Sequence, residues 1–415
     1  MRLQGRGVTA KVQIADGLAG RTQRSGAVIT ALGITQILAW GSSYYLPAVL
    51  AKAIAADTGW SLTWVIGGLS IGLLAAGLVS PYVGRTIESR GGRPVLIASA
   101  LLFAVGLLGL GLAQNLAVYV GAWMVIGFGM GAGLYDPVFA TLGRLYGTDA
   151  RRAITTLTLF GGFASTVCWP LSAFLTAELG WRGACFVYAA IQIGFSLPIY
   201  VLALPREGAR SPKRDHVRPV QDETAVGQRS KSVLLVGLVA TALTISAAIS
   251  ATMSVHMLTI LQSRGIDLAD AVALGVAVGP AQVGARFIEM LIALYHHPIW
   301  TKAASVSCVA IGVAALWSGL PILPIALIFY GAGIGLESIA RGTLPLALFG
   351  TEGYAALMGK LALPSLIAQA AAPSVAAVLI ETFGSMPTLA IIVCVALVNA
   401  ALVLALIALW SFAHD

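Results

Sequence analysis

The chain has 415 residues, 58% of them hydrophobic and only 10% charged, against roughly a quarter charged in a soluble protein. So few charges exclude a water-solvated globule. The net charge of +8 lies in short segments between apolar runs, which excludes a nucleic-acid footprint.

The apolar runs, about 20 to 28 residues each and without period-2 alternation, predict membrane-spanning helices rather than a barrel. In chain order they fall near 26–51, 61–83, 95–113, 117–143, 153–177 and 181–204. After a break they resume near 233–261, 268–293, 301–320, 322–348, 356–380 and 386–412. Residues 1–25 are basic and polar, and the following run is too long for a signal-peptide core. A cytoplasmic tail before a retained first helix is expected.

Lys and Arg set the expected orientation. With the N-terminus in the cytoplasm, that side takes five in the tail, three after helix 2, three after helix 4, seven in the central loop and one each after helices 8 and 10. The last two are Lys302 and Lys360. The other side takes only Lys52, Arg182 and Arg264, and the positive-inside rule favours this arrangement. Both termini are then cytoplasmic, in a bacterial inner membrane.

The long polar stretch 205–232 divides the helices six and six. The expected organisation is a tail 1–25, a bundle 26–204, a cytoplasmic linker 205–232 and a second bundle 233–415. The halves echo one another. Pro81 to Glu88 in helix 2 matches Pro280 to Glu289 in helix 8. Gly129, Gly131 and Gly133 before Asp136 match Gly331, Gly333 and Gly335 before Glu337. Pro170 precedes Glu178 by the spacing that separates Pro373 from Glu381. Three echoes in one order point to an internal repeat, as in alternating-access carriers. The fold expected is an all-α polytopic membrane protein of twelve transmembrane helices in two pseudo-symmetric six-helix bundles.

The segment from Gly84 to Pro94, with Gly84, Glu88, Gly91 and Arg93 at their places, resembles the signature loop between helices 2 and 3 of the major facilitator superfamily. Ser89 and Pro94 stand where that loop usually has basic residues. The resemblance implies a secondary transporter, with Glu88 latching the two bundles on the cytoplasmic side and Arg85, Arg90 and Arg93 around it. Val255-His256-Met257 before Ser263-Arg264-Gly265-Ile266, and Asp57-Thr58-Gly59-Trp60-Ser61 before helix 2, are similar to monocarboxylate-porter-like members. That implies a small organic anion as substrate. Trp123 near the place of the helix 4 arginine of proton-coupled members, and Gly161, Gly162 and Trp169-Pro170 in helix 5, depart from a drug exporter.

Charged side chains inside a membrane cost roughly 2.5–3.5 kcal/mol each on insertion scales. Glu337 and Arg341 are four apart on helix 10 and can neutralise each other, or Arg341 can anchor an anion with Glu337 as proton-sensitive partner. Arginine's planar fork suits a carboxylate. Asp136 is a second proton-coupling candidate, or else a gate contact with Arg144 or the opposite bundle. Arg286 and Glu289, echoing the Gly84–Glu88 loop, read as gate residues. His256 is either a satisfied polar group or a proton carrier. Helix 1 lines the central cavity in this superfamily, so Gln36, Trp40 and Tyr44 are candidate substrate contacts, as are Gln282 and Gln369. Tyr44 and Tyr45 can alternatively belong to an interfacial aromatic belt.

Cys168, Cys185, Cys308 and Cys394 fall in apolar runs without a CxxC pair, so neither a disulfide framework nor a metal site is expected. The glycines of helices 4 and 10 read as close helix packing rather than phosphate loops. No cofactor and no enzymatic activity are expected. The expected partners are a small anionic molecule, protons and membrane lipid, with no nucleic acid, for a monomeric proton symporter. The alternatives are efflux of a neutral or cationic toxic compound and, from another class, a non-transporting sensor or enzyme.

Overall fold

The computed structural model describes residues 26–207, 223–319 and 322–411, and over 223–232 the backbone alone. The expected tail and residues 208–222 of the expected linker lie outside the described residues.

Among the described residues, ten helical runs are long and apolar enough to cross a membrane. One of them, Leu116–Ala203, has 88 residues and would extend ~130 Å as a straight helix, about four bilayer cores. It must fold back twice, and local breaks show where. The numbering α1–α12 follows the crossings that result. α1 is Gly26–Thr58, turning over 42–45 before its second piece Leu46–Thr58. α2 is Leu62–Arg90 and α3 is Gly92–Gly111. α4 has two pieces, Leu116–Gly133 and Tyr135–Tyr146, separated by the extended Leu134. α5 begins with Ala150–Gly162 and continues into the run Ala164–Ile191, which Gly180 breaks with φ 71° and ψ 171°. α6 follows that break and ends, past a π-helical turn, with Leu197–Ala203.

The second half repeats the plan. α7 is Glu223–Gln262, so its helix begins inside the expected linker. α8 comprises Leu268–Val276 and Val278–Ile292. α9 is Pro298–Ser318, α10 Leu323–Phe349, α11 Tyr354–Phe383 and α12 Ser385–Ser411.

Packing obeys the repeat. α4 lies on α2 and α3 as α10 lies on α8 and α9, and α3 meets α6 as α9 meets α12. Small residues permit the close crossings, since lipid offers no hydrophobic drive and contact must come from backbone approach. A side chain at Gly127 of α4 would place its Cβ 2.2 Å from the Gly72 carbonyl of α2. In the mirrored crossing, one at Gly331 of α10 would lie 2.7 Å from the Val278 carbonyl of α8. Outward-facing Leu78, Val105, Phe174, Leu202 and Leu404 stay exposed, an apolar coat suited to lipid.

The halves meet through α2 on α11 and α5 on α8, contacts that the pseudo-symmetry exchanges, with α4 and α5 also touching α10 or α11. The α5, α8 and second α4 pieces involved (Ala150–Gly162, Val278–Ile292 and Tyr135–Tyr146) lie toward the end of the bundle that carries Arg85, Arg90, Arg93, Arg144 and Arg151. That end is called the basic end below.

Candidate functional site

The break at Leu134 matters first. It ends one helical piece and starts another, so Tyr135 and Asp136 occupy the first turn of Tyr135–Tyr146. A helix start favours a negative charge there. Tyr135 and Asp136 line a small cavity between the halves, together with Trp40 and Tyr44 of α1, Arg341 of α10 and Gln369 of α11. Leu73, Ala76, Met130 and Leu366 supply its apolar wall. Trp40 is the hub of the aromatic side, with ring centroids 5.3 Å from Tyr44, 5.9 Å from Tyr45 and 5.0 Å from Tyr135. Its buried indole N–H has no hydrogen-bond partner among the described residues.

Two charge pairs stand beside this cavity. Arg341 donates from Nε to Asp136 Oδ1 and from Nη2 to Asp136 Oδ2, both at 2.7 Å. This parallel fork joins the second half to the first. Glu337 does not neutralise Arg341, although one helical turn separates them. Its two oxygens accept from Lys302 Nζ at 2.6 and 2.7 Å, and Ser305 Oγ donates to Oε2 at 2.8 Å. Lys302 also donates to Ser246 Oγ at 3.0 Å, and Asn399 Nδ2 reaches the same hydroxyl at 2.9 Å.

Lys302 corrects the loop count made from the sequence. It is not a cytoplasmic charge after helix 8 but a fully buried residue, 0% exposed, inside α9. Pro298 at the first helical position starts α9 three residues earlier than expected, with His297 as N-cap. Proline there is a recognised helix-start signal, and it was the available clue.

The basic end is held by a second set of contacts. Glu88, at the end of α2, accepts a hydrogen bond at 3.1 Å from the backbone N–H of Ala355 in the first turn of α11. The N-cap of α11, Gly353, has no capping side chain of its own, so an acid from the other half serves one of its free N–H groups. Gly84 permits this approach, because a Cβ there would lie 2.4 Å from the Ala355 carbonyl. Gly91 turns the chain from α2 to α3 with φ 85°. Arg93 donates to the Val201 carbonyl at 2.6 Å, which ties α3 to α6 within one half. Arg144 pairs with the Glu207 carboxylate and the Glu88 carbonyl, not with Asp136.

In the mirrored crossing, Arg286 of α8 is 5% exposed. It donates to the Thr158 carbonyl of α5 at 3.0 Å and the Gly335 carbonyl of α10 at 3.4 Å. Glu289 accepts from Thr301 at 2.7 Å and faces His296 at 3.3 Å and Arg151 at 3.8 Å. Arg151 donates to the His296 carbonyl at 2.6 Å, again across the halves. Glu207, Arg151 and Thr301 were not singled out in the sequence.

Besides Glu337, three expected site residues lie outside the cavity lining. Gln36 is buried and donates at 2.6 Å to the Gly133 carbonyl of α4. The backbone of Gln282 packs against Gly335. His256 bonds the Pro373 carbonyl of α11 at 2.8 Å, within the second half. The Asp57–Ser61 motif is architectural: Asp57 accepts from Trp181 Nε1 at 3.0 Å and pairs with Arg182, while Ser61 caps α2.

Residues 32–296 match the family model of the Major Facilitator Superfamily. Over 142 residues the chain is 33% identical to monocarboxylate transporter 14 of Mus musculus, covering 32% of this chain and 25% of that one. Over 176 residues it is 31% identical to the transcription regulatory protein OpdE of Pseudomonas aeruginosa, covering 41% and 43%. The chain thus spans less than half the length of these relatives. In fold it is similar to the human organic anion transporter MFSD10, with TM-score 0.71 at 15% identity over 91% of this chain and 99% of that one. It is equally similar to the proton:xylose symporter XylE, with TM-score 0.71 at 13% identity over 92% and 95%.

Proposed function

Because the chain belongs to the Major Facilitator Superfamily, we propose that it is a secondary carrier moving a small organic anion together with a proton by alternating access. One observation carries this reading. The arginine lining the cavity has its carboxylate-shaped fork filled by Asp136, an acid of the same chain that stands where a substrate carboxylate would bind.

The chemistry follows from that geometry. An ionised Asp136 neutralises Arg341 and leaves no unpaired charge in the cavity wall. A proton taken up on Asp136 removes its negative charge and weakens its hold, so Arg341 can offer two parallel N–H groups to a substrate carboxylate. Release of both restores the internal pair. Each charge then has a partner at every stage, as burial requires. Trp40, Tyr44, Tyr135 and Gln369 enclose the body of the substrate, with the Trp40 N–H as a free donor.

The basic end is the cytoplasmic gate, closed in this conformation. Glu88 on Ala355 and Arg286 on Thr158 are contacts between halves that must part for inward release. Gly84, Gly91, Arg93 and Glu289 support this gate. The carrier halves are 26–204 and 233–415, joined by a cytoplasmic linker 205–232 whose last ten residues already belong to the helix of α7. Both termini are cytoplasmic, in a bacterial inner membrane, and the carrier works as a monomer.

The test is uptake of labelled small carboxylates into proteoliposomes, with and without an inward proton gradient, for wild type and Arg341→Ala. Gradient-stimulated uptake that the substitution abolishes is expected. No carboxylate uptake by folded wild type, or undiminished uptake by Arg341→Ala, overturns the anion reading. The alternative, efflux of a neutral compound, draws support from the neutral sum of the Asp136–Arg341 pair. It requires Arg341 to be dispensable while Asp136 is essential.

A further inference from the structure

Arg341 stands between two acids. Asp136 comes from the opposite half, whereas Glu337 precedes Arg341 by one turn on the same face of α10, the spacing that brings side chains together. When Asp136 takes up its proton, Glu337 is the nearest competitor for the fork. Capture by Glu337 would leave nothing for a substrate carboxylate.

The structure shows what prevents this. Both Glu337 oxygens are on the Lys302 ammonium, at 2.6 and 2.7 Å, and Oε2 also accepts from Ser305. Lys302 is held in turn by Ser246 of α7, itself bonded by Asn399 of α12. Elements α7 and α10 thus meet at the buried ammonium of α9, and α12 braces its Ser246 partner. Among the described residues Asp136 is paired with Arg341 from α10, and Tyr354 from α11 stands nearby with its hydroxyl turned to the Gly342 carbonyl. The charged groups facing Lys302 are Glu337 and, farther off, Arg341. The result is a row of alternating sign, Asp136, Arg341, Glu337, Lys302, with no spare charge.

We propose that Lys302 is a positioning residue that keeps Glu337 off Arg341, so that the fork is free for the substrate carboxylate whenever Asp136 is protonated. This rests on the reading of Arg341 as the anion anchor. A lysine serves well because its compact ammonium satisfies both carboxylate oxygens from within the packed half, where it competes with no ligand.

Removing Lys302 alone and removing the whole pair give opposite results if this is right. In Lys302→Met, Glu337 loses its partner and turns to Arg341. KM for the carboxylate is expected to rise on the order of ten-fold, a loss of binding rather than of turnover. In Lys302→Met/Glu337→Gln no acid remains to capture Arg341, and KM is expected to return to the wild-type value. A merely structural lysine would lower the amount of folded carrier in both variants without moving KM, and that result overturns the proposal. Lys302→Gln, which keeps a donor toward Glu337, is expected to show a smaller rise in KM and serves if Lys302→Met fails to fold.

A second measurement needs no transport. Thermal unfolding in detergent of Asp136→Asn, Arg341→Gln and the double variant gives the coupling between those residues. That coupling is expected to shrink in the Lys302→Met or Lys302→Gln background and to recover when Glu337→Gln is added. An unchanged coupling overturns the role of Lys302, whatever the carrier moves. Absent carboxylate uptake by the wild type, with the coupling shifted as expected, instead faults the anion reading alone.

Discussion

Asp136 and Arg341 are 205 residues apart in the chain and hold each other by two parallel hydrogen bonds of 2.7 Å. The pair bridges the halves at the cavity wall, so a change in its charge is felt where the halves must move. Asp136→Asn mimics the protonated acid permanently. In the proposed cycle a proton occupies Asp136 before the anion binds, so uptake by wild type is expected to fall as external pH rises. The variant is expected to lose this pH dependence and its response to a proton gradient, while still exchanging labelled for unlabelled anion. Retained gradient-driven accumulation by Asp136→Asn would place the proton elsewhere.

Arg341→Lys keeps the charge and loses the fork. A point-like ammonium cannot make two parallel bonds to one carboxylate in the same plane. KM is expected to rise about ten-fold, equivalent to ~1.4 kcal/mol, with turnover little changed. Initial-rate uptake across substrate concentrations checks this, and an unchanged KM would remove the fork from the argument.

At the basic end, Glu88→Gln leaves the shape of the α2–α11 contact and removes its charge. The carboxylate at a helix start contributes ~0.3–1 kcal/mol, enough to shift a balanced gate several-fold. The reporter is Ser80→Cys in the cavity wall, made in a background lacking native cysteines. With Glu88→Gln added, it is expected to react faster with a membrane-impermeant thiol reagent applied from the basic side. Equal labelling rates with and without Glu88→Gln would show that the contact does not restrain the gate.

Gly127→Val tests the crossing of α4 on α2, where a Cβ would lie 2.2 Å from the Gly72 carbonyl. Overpacking of this kind costs ~1–3 kcal/mol or more, and a lower unfolding midpoint in detergent is expected. Gly121→Ala is the control: it has open space around it on the same helix, and its midpoint should not fall.

The helices and the repeat could be read from the residues because apolar length and glycine spacing are local signals. The charge pairing could not. Helical spacing joins Glu337 to Arg341, and a sequence offers no rival to that local pair until α4 and α9 are placed beside α10. Lys302 escaped because a lysine close to an expected helix end counts as loop. The earlier start set by Pro298 puts it within the membrane-spanning part. Gln36, Trp40 and Tyr44 share helix 1 at intervals of four residues. Four residues turn a helix by about 400°, so each step drifts some 40° and Gln36 ends up facing α4. The aromatic hub needed Tyr135, which only the break at Leu134 brings to Trp40.

The row Asp136, Arg341, Glu337 and Lys302 has one further consequence, for membrane voltage. Moving one elementary charge through 100 mV is worth ~2.3 kcal/mol, so a carrier whose mobile core bears net charge is driven or stalled by the potential. These four charges sum to zero. Loading as proposed adds a proton and a monoanion, which also sum to zero. One full proposed cycle then carries no net charge through the field. With the proposed coupling, accumulation is set by the pH difference alone, and imposing a potassium-diffusion potential on the vesicles should leave the final level of uptake unchanged.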